Sequence, residues 1–502
     1  MTSFILVAGA FTGTHVWQET AAALAAAGAR VHTAALTGLD GPPGGTGAGV
    51  DLERHIADVV AVIDAADGGD IVLVGHDYGI HPVVGAADRR AERIARIVYL
   101  DAALPQDGVP ALAAVPDQAL RARLAEGARG DGVLPPPDRA GWQRWGSTAE
   151  VPGAALDRLT ALAAPQPLGT LLQPLRLTGA VAAVPTTGVL CTGNGTSIEQ
   201  IEMLVRFGDP ARRVLADPRV TFFELATGHW PMLSRPAELA QVLLRAAAGE
   251  GHRLQPPGED EPAAHTGPFP LEVPELPRVR EENVDLYLPA AEGPRPAVVF
   301  VHGGPVPADA RPTPREWPLF TGYARYAAEQ DVVGVTVDHR LHGLGDYERA
   351  AADVAAALDV VRAHPRVDAD RVALWVFSGG GLLAADWLAA PPGWLRCLAA
   401  SYPVLAPLPN WGLADSRFHP ARAVADAGAL PVVLTRVGLE MPEIAATVEE
   451  FLAAAKDCGA RVEVVDVPHG HHGFETRDPT DASRAAVRQA MRSVLTPLTG
   501  RD

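Results

Sequence analysis

Short apolar runs alternate with Ala-rich stretches of helical length from Phe4 onward. In the first half Phe4 to Val7, Val31 to Ala35, Ile71 to Val74 and Ile97 to Leu100 read as strands, and Ala21 to Ala27 and Leu52 to Ala66 as helices. Within each strand run the residues are apolar one after another, which suits strands covered on both faces. Their alternation with helices predicts βαβ units around a parallel sheet. From about Leu104 to Val184 the rhythm fails. That segment is rich in Pro and Ala, carries Trp142 and Trp145, and reads as a helical insertion over the sheet. The alternation resumes with Thr187 to Cys191, Val220 to Leu225 and a helix over Pro236 to Ala248.

Residues 249–277 have a different character. Gln255-Pro256-Pro257-Gly258-Glu259-Asp260-Glu261-Pro262 combines proline, glycine and charge with no apolar period, which is linker composition. Beyond it strands are expected at Val284 to Leu288, Ala297 to Val301, Val332 to Val337, Val372 to Val376, Pro431 to Leu434 and Val462 to Val465, with a helix over Tyr347 to Val361. A chain of 502 residues also exceeds the length of about 250 to 300 at which one core stops growing. The expected architecture is therefore α/β, with two domains, 1–248 and 278–502, joined by the Pro-rich linker 249–277. Each is a mostly parallel sheet flanked by helices, and the first carries a helical lid at about 104–184.

Composition narrows the partners. With 48% apolar and 20% charged residues the chain is ordinary for a globular protein and is not largely disordered. Its 60 acidic against 42 basic residues give a net charge of −18, a field that repels phosphate backbones and anionic membranes. A small-molecule substrate is expected, with no nucleic acid, no membrane and room for a homo-oligomer. Cys191, Cys397 and Cys458 lie far apart without C-x-x-C spacing, so neither disulfides nor a zinc site is expected, and a reducing cytoplasm fits best. The apolar run Phe4 to Ala8 follows no basic segment and is shorter than a signal core or a membrane span. His15, His32, His55 and His81 lack ligand spacing, so no metal or other cofactor is expected. His15 and His81 are placed to face a first-domain pocket. Gly44 to Gly49 follows Pro42-Pro43 with no strand leading in and no G-K-[ST] after it, and reads as a flexible loop.

The second half holds a serine in a demanding context. Strand Ala297 to Val301 ends in His302-Gly303-Gly304, where glycines let backbone N–H groups approach a substrate oxygen. Strand Val372 to Val376 runs into Phe377-Ser378-Gly379-Gly380-Gly381 and an apolar helix, a strand-to-helix elbow that exposes a nucleophile. Val376 replaces the first glycine of G-x-S-x-G. A base must follow later in the chain, and His469-Gly470-His471-His472-Gly473-Phe474 supplies candidates. The His302-Gly303-Gly304 loop, Ser378 and the late histidine before x-Phe resemble the dienelactone-hydrolase and carboxylesterase branch of the α/β-hydrolases. That resemblance implies His472 as base, with Gly303, Gly304 and Gly379 around the oxyanion. Glu440 is taken as the acid after strand Pro431 to Leu434, Glu443 as second choice, and His469 and His471 as structural.

The first half keeps the elbow and changes its centre. Gly75-His76-Asp77-Tyr78-Gly79 follows strand Ile71 to Val74 with both glycines present, and Thr227-Gly228-His229-Trp230 follows Val220 to Leu225. With Leu6-Val7-Ala8-Gly9-Ala10-Phe11, Leu36-Thr37-Gly38-Leu39 and Tyr99-Leu100-Asp101, this half resembles the small esterase-like α/β-hydrolases whose elbow reads Gly-His-Ser-Tyr-Gly. Ala8 departs from the usual histidine of the oxyanion loop. Asp77 departs from serine, as in the epoxide-hydrolase and haloalkane-dehalogenase branches. His229 is the expected base, Asp101 or Asn194 its partner with Asp101 favoured, and Phe11 and Tyr78 are oxyanion or binding candidates. An aspartate attacking an ester would yield an anhydride, whereas at saturated carbon it yields an alkyl ester that activated water can cleave. Tyr78 stands where many dehalogenases have a halide-binding tryptophan, and residues 104–184 contain no tyrosine to match the paired lid tyrosines of epoxide hydrolases. Trp142 and Trp145 either line a pocket with Trp230 or form lid core.

The expected function is hydrolysis of a small organic ester, lactone or related acyl compound through Ser378, His472 and Glu440. The alternatives are an epoxide hydrolase, dehalogenase, or lyase or cyclase of secondary metabolism at Asp77 and His229, or a non-catalytic ligand-binding protein.

Overall fold

Strand β1 (Ser3–Val7) is entirely buried and pairs in parallel with β2 (Arg30–Ala34) on one side and β3 (Ile71–His76) on the other. The computed structural model describes residues 2–40, 49–67, 70–127, 132–206, 214–255, 267–408, 411–413 and 416–500. Two compact units result, one formed chiefly by residues up to Pro256 and the other chiefly from Pro257 onward. The glycine-rich stretch at 44–48 and the middle of the expected linker, 256–266, lie outside the described residues.

In the first unit β4 (Ile94–Leu100), β5 (Thr186–Cys191) and β6 (Val220–Leu225) extend the sheet in the order β2-β1-β3-β4-β5-β6, all parallel. Helices α1 (Gln18–Ala26), α2 (Leu52–Ala65), α3 (Ile80–Arg89) and α4 (Pro236–Ala247) flank it, α1 packing with α4 and α2 with α3. Asp51 starts α2 by accepting the Arg54 N–H at 3.0 Å, a side-chain N-cap. Both faces of the sheet are thus covered, which is why Ile71, Leu73 and Val74 are fully buried. Each such side chain contributes about 1.5 to 3 kcal/mol. His252 exchanges backbone hydrogen bonds with Phe222, so the unit runs a little past residue 248.

The insertion between β4 and β5 is less helical than expected. It holds helices Gln118–Gly127, Gly153–Leu162 and Leu168–Leu172, and a short antiparallel pairing of Val133–Leu134 with Gln166–Pro167. Ten prolines between Pro105 and Pro174 explain the interruptions, since each lacks an N–H and blocks helix continuation.

The second unit's strands are β7 (Arg278–Glu281), β8 (Val284–Tyr287), β9 (Arg295–Val301), β10 (Val333–Val337), β11 (Val367–Phe377), β12 (Leu395–Ser401), β13 (Val432–Leu439) and β14 (Val462–His471). They form one sheet ordered β14-β13-β12-β11-β9-β10-β8-β7. Only β8 pairs antiparallel with its neighbours β7 and β10. Helices α5 (Pro318–Glu329), α6 (Tyr347–Ala363), α7 (Pro442–Cys458) and α8 (Asp481–Thr499) accompany it. Strand β12 had no counterpart among the expected strands. No helix among the described residues is long and apolar enough to cross a membrane.

Candidate functional site

The chemistry-bearing side chains of each unit gather at the carboxyl ends of its parallel strands, the usual place for a site in an open α/β sheet. In the second unit β11 ends at Phe377, and Ser378 turns the chain with a left-handed φ of +51° into a 3₁₀ stretch, Ser378–Ala384. A non-glycine residue held there is strained, and this strain lifts the hydroxyl out of the turn. Ser378 Oγ donates to His472 Nε2 at 2.7 Å. His472 Nδ1 in turn donates to both Glu440 oxygens, at 3.0 and 2.9 Å, and the His472 and Glu440 side chains are nearly buried. Glu440 follows β13 and is steadied by the Met441 N–H on Oε1, 2.9 Å away. Three sequence-predicted residues therefore meet as one hydrogen-bonded chain.

Gly303 lies hard against the serine. A Cβ there would stand 2.8 Å from Ser378 Cβ and 3.3 Å from its Oγ, so only glycine lets this loop close on Ser378. Gly304 and Gly379 are packed on one another, and Tyr347 Oη holds the Gly379 carbonyl at 2.9 Å. Behind the loop, His302 stacks on His339 with ring centroids 3.7 Å apart. His339 Nε2 donates to the His302 carbonyl at 2.9 Å, and His302 Nδ1 donates to the Gly303 carbonyl. Burial keeps both rings neutral, pushing His302 down to about 4 and His339 well below the usual imidazole value. Their service is structural. His471 is occupied by Asp478 at 3.1 Å and His469 is exposed, so neither joins the serine.

The first unit repeats the plan around Asp77, whose φ is +48°. Its Oδ2 accepts the Ala10 N–H at 3.0 Å, while Oδ1 faces His229 Nε2 at 3.9 Å. That Nε2 is buried and has no hydrogen-bond partner among the described residues. His229 Nδ1 donates to Asp101 Oδ2 at 2.6 Å, and Asn194 Nδ2 supports the same oxygen at 2.7 Å. Of the two expected partners, Asp101 makes the shorter contact to His229 and Asn194 braces its carboxylate. Burial opposes charge on His229, yet the Asp101 hydrogen bond and the charges of Asp101 and Asp77 prevail and raise its pKa. His76 backs the base, donating from Nε2 to the His229 carbonyl at 2.8 Å. Burial and the neighbouring His229 push His76 down to about 4.

Two binding candidates need correction. The Phe11 N–H is taken by Gln166 Oε1 of the insertion at 2.9 Å, so the amide facing Asp77 belongs to Ala10 instead. Tyr78 is buried, with Oη 2.8 Å from His55 Nδ1 and its ring stacked on His81, so its side chain serves the core. The Phe11 ring meets Trp145 at 4.6 Å and Trp142 at 6.2 Å, and Trp142 meets Trp230 at 5.5 Å. Trp230 lies 4.8 Å from His229, so the tryptophans do adjoin the base. The insertion is also fastened to it. Ser147 accepts the His229 N–H at 2.8 Å, and a Cβ on Gly146 would stand 2.4 Å from the His229 ring.

Sequence reasoning missed Ala10, His76 and His339, although His76 and His339 were visible beside motifs already noted. Among the described residues no group of three or more His, Cys, Asp or Glu side chains is placed to hold a metal ion.

Residues 4–242 match the model of the alpha/beta hydrolase family, and residues 284–390 match that of BD-FAE. The chain is 34% identical over 247 residues to a carbendazim hydrolyzing esterase from Nocardioides sp. (strain SG-4G), covering 48% of this chain and 98% of that protein. It is 31% identical over 109 residues to a pyrethroid hydrolase from Sphingobium wenxiniae, covering 22% of this chain and 39% of that protein. A solved extracellular alpha/beta-hydrolase from a Paenibacillus species is 23% identical with a TM-score of 0.40, covering 49% of this chain and 99% of that one.

Proposed function

Because this chain belongs to the alpha/beta hydrolase family, we propose that it hydrolyses a small organic ester, lactone or related acyl compound through Ser378, His472 and Glu440. The observation that carries this is the unbroken hydrogen-bond chain from Ser378 Oγ through His472 to Glu440, on a serine with left-handed backbone. The similarity to a carbendazim hydrolyzing esterase and a pyrethroid hydrolase supports acyl chemistry. Ser378 lies within the BD-FAE match, whereas Asp77 lies within the other.

In this mechanism His472 takes the Ser378 proton as Oγ attacks the carbonyl carbon, and Glu440 stabilises the imidazolium that forms. Negative charge develops on the carbonyl oxygen beside Gly303, Gly304 and Gly379, whose backbone can approach without a Cβ in the way. His472 then protonates the leaving oxygen as the C–O bond breaks. Water, deprotonated by the same histidine, cleaves the acyl-serine to the free acid. The substrate is a small molecule met in the cytoplasm, and no cofactor is required.

A second centre at Asp77 is favoured by one observation: Oδ2 is bound to the Ala10 N–H while Oδ1 faces His229. A carboxylate so held is suited to attack saturated carbon, as in an epoxide hydrolase or dehalogenase, or to act as a base in a lyase or cyclase.

A fluorophosphonate probe tests the serine assignment. The adduct maps to Ser378 and disappears in Ser378→Ala. Undiminished ester turnover in Ser378→Ala would remove the assignment. For Asp77, a single turnover of an epoxide or alkyl halide in heavy-oxygen water places the isotope in its carboxylate; turnover without label there excludes the alkyl-enzyme.

A further inference from the structure

Behind His472 lies a carboxyl group that the mechanism above does not use. Glu475, in the short helix Phe474–Arg477, is fully buried. Its Oε1 accepts from Tyr323 Oη of α5 at 2.8 Å, and its Oε2 has no hydrogen-bond partner among the described residues. Tyr402, the residue after β12, neighbours this carboxyl and favours its charged form. The Tyr402 ring meets the His472 ring edge-on, with centroids 4.8 Å apart, and the residue holds a left-handed φ of +36°. Both tyrosines sit among aromatic rings: Tyr323 packs on Phe300, Trp375 and Phe377, and Tyr402 on Phe377 and Phe474.

The geometry points to Glu475 as a positioning residue for the serine centre, which through Tyr402 and through its own charge favours the protonated form of His472 that arises during acyl transfer. This inference rests on the Ser378 assignment. A lone carboxyl in an aromatic pocket is costly to bury, and a structural role would be met as well by an uncharged side chain. Here the Tyr323 hydroxyl donates to it, and a second neighbouring tyrosine, Tyr402, is the wall of the catalytic base. Glu440 bonds His472 directly and orients it. Glu475 makes no direct hydrogen bond to it among the described residues.

The titratable groups facing Glu475 are Tyr323 from α5, Tyr402 from the end of β12 and His472 from its own turn, with Glu440 beyond Tyr402. Burial raises its pKa to about 7, against the opposing pull of its own helix amide, of the Tyr323 and Tyr402 hydroxyls and of His472. Glu475 therefore changes charge near neutrality. Above that range it supports His472. Below it the support is gone, so acyl transfer carries an ionisation in addition to that of the base, and the two are expressed as properties of the pair.

The test is the rate of fluorophosphonate labelling at Ser378 against pH, in the full chain and in Glu475→Gln and Tyr323→Phe. In Glu475→Gln the plateau rate falls about tenfold and the profile loses one ionisation. Tyr323→Phe keeps the ionisation but moves it to higher pH by on the order of one unit, because a donor that favours the carboxylate is lost. These opposite signatures do not arise from a packing defect. Profiles of both variants that superimpose on the parent after scaling overturn the inference. If Glu475→Gln loses its near-ultraviolet circular dichroism, Tyr323→Phe decides alone. Absence of label at Ser378 in the parent overturns the serine assignment and this inference with it; label at Ser378 with unmoved profiles overturns only the role of Glu475.

Discussion

Asp101 and Tyr402 occupy the same station in their two sheets. Each is the residue immediately after the strand that neighbours the nucleophile strand, β4 beside β3 and β12 beside β11, and each has left-handed backbone, φ +45° and +36°. Asp101 bonds the base at 2.6 Å, whereas Tyr402 offers only a ring edge to His472. One strand further along, after β5 and β13, the arrangement exchanges: Asn194 supports Asp101, while Glu440 itself bonds His472. The two units thus use the same pair of strand ends, with acid and neutral partner interchanged.

This exchange predicts where the charge behind His229 comes from. Its pKa is raised by Asp101 and Asp77 against burial. The resulting stabilisation is fully present below the ordinary imidazole value of about 6.5, and is lost as pH rises through the folded-state value. In Asp101→Asn burial is left less opposed and His229 titrates below the ordinary value, whereas Asn194→Ala shifts it less. NMR titration of the His229 ring measures both. A His229 curve unmoved in Asp101→Asn would contradict the assignment.

The Glu440 contact predicts a large charge effect at the serine centre. Glu440→Gln preserves shape but cannot balance the imidazolium, and kcat for p-nitrophenyl acetate falls by about 10³ to 10⁴ with KM little changed. Glu440→Asp retains the charge one methylene short and loses about tenfold. Equal losses in the two variants would mean that the carboxylate acts by packing alone.

Most of the fold was legible because buried parallel strands are continuous apolar runs rich in Val, as in Val298, Val299 and Phe300. Strand β12 was not, since Leu395-Arg396-Cys397-Leu398-Ala399-Ala400-Ser401 has no β-branched aliphatic residue and its alanines suit a helix. Its place between β11 and β13 is fixed by pairing on both sides. The convergence of Ser378, His472 and Glu440 was legible because strand ends and elbows are local patterns. Phe11 was misread for the opposite reason: the group that takes its N–H, Gln166, is 155 residues away. No local pattern reports a contact of that range. Likewise, the burial of Glu475 depends on Tyr323 and Tyr402, contributed by distant elements.

The stacked pair behind the oxyanion loop predicts an acid limit. His302 is held neutral with its pKa at about 4, so the unfolded chain binds a proton there before the folded one does. The associated stability is present above about pH 6.5 and is lost as pH falls towards 4, on the order of 3 kcal/mol for this ring. Calorimetric Tm against pH should decline through that window. In His302→Gln the decline is shallower, although the Tm at pH 7.5 is lower from lost stacking on His339. A His302→Gln slope equal to the parent's would place the acid sensitivity elsewhere.

Whether the first elbow still has acyl-transfer geometry is testable by restoring its hydroxyl. Ser378 shows that serine tolerates the left-handed backbone that Asp77 adopts, +51° against +48°. Replacing the carboxylate removes Oδ2 and frees the Ala10 N–H, which then faces a developing oxyanion rather than a fixed negative charge. His229, with Asp101 behind it and an unpartnered Nε2, is placed to take a proton from a hydroxyl at that position. In a Ser378→Ala background, Asp77→Ser is therefore expected to gain fluorophosphonate labelling at position 77, and His229→Ala to abolish it. Ser378→Ala alone stays unlabelled at that position, because a carboxylate does not form a stable adduct with the probe. Mass mapping of the adduct distinguishes these outcomes. A folded double variant that takes no label would show that the strap at Gly146 and the ring of tryptophans close the first pocket to acyl chemistry, leaving Asp77 with substrates attacked at saturated carbon or with none.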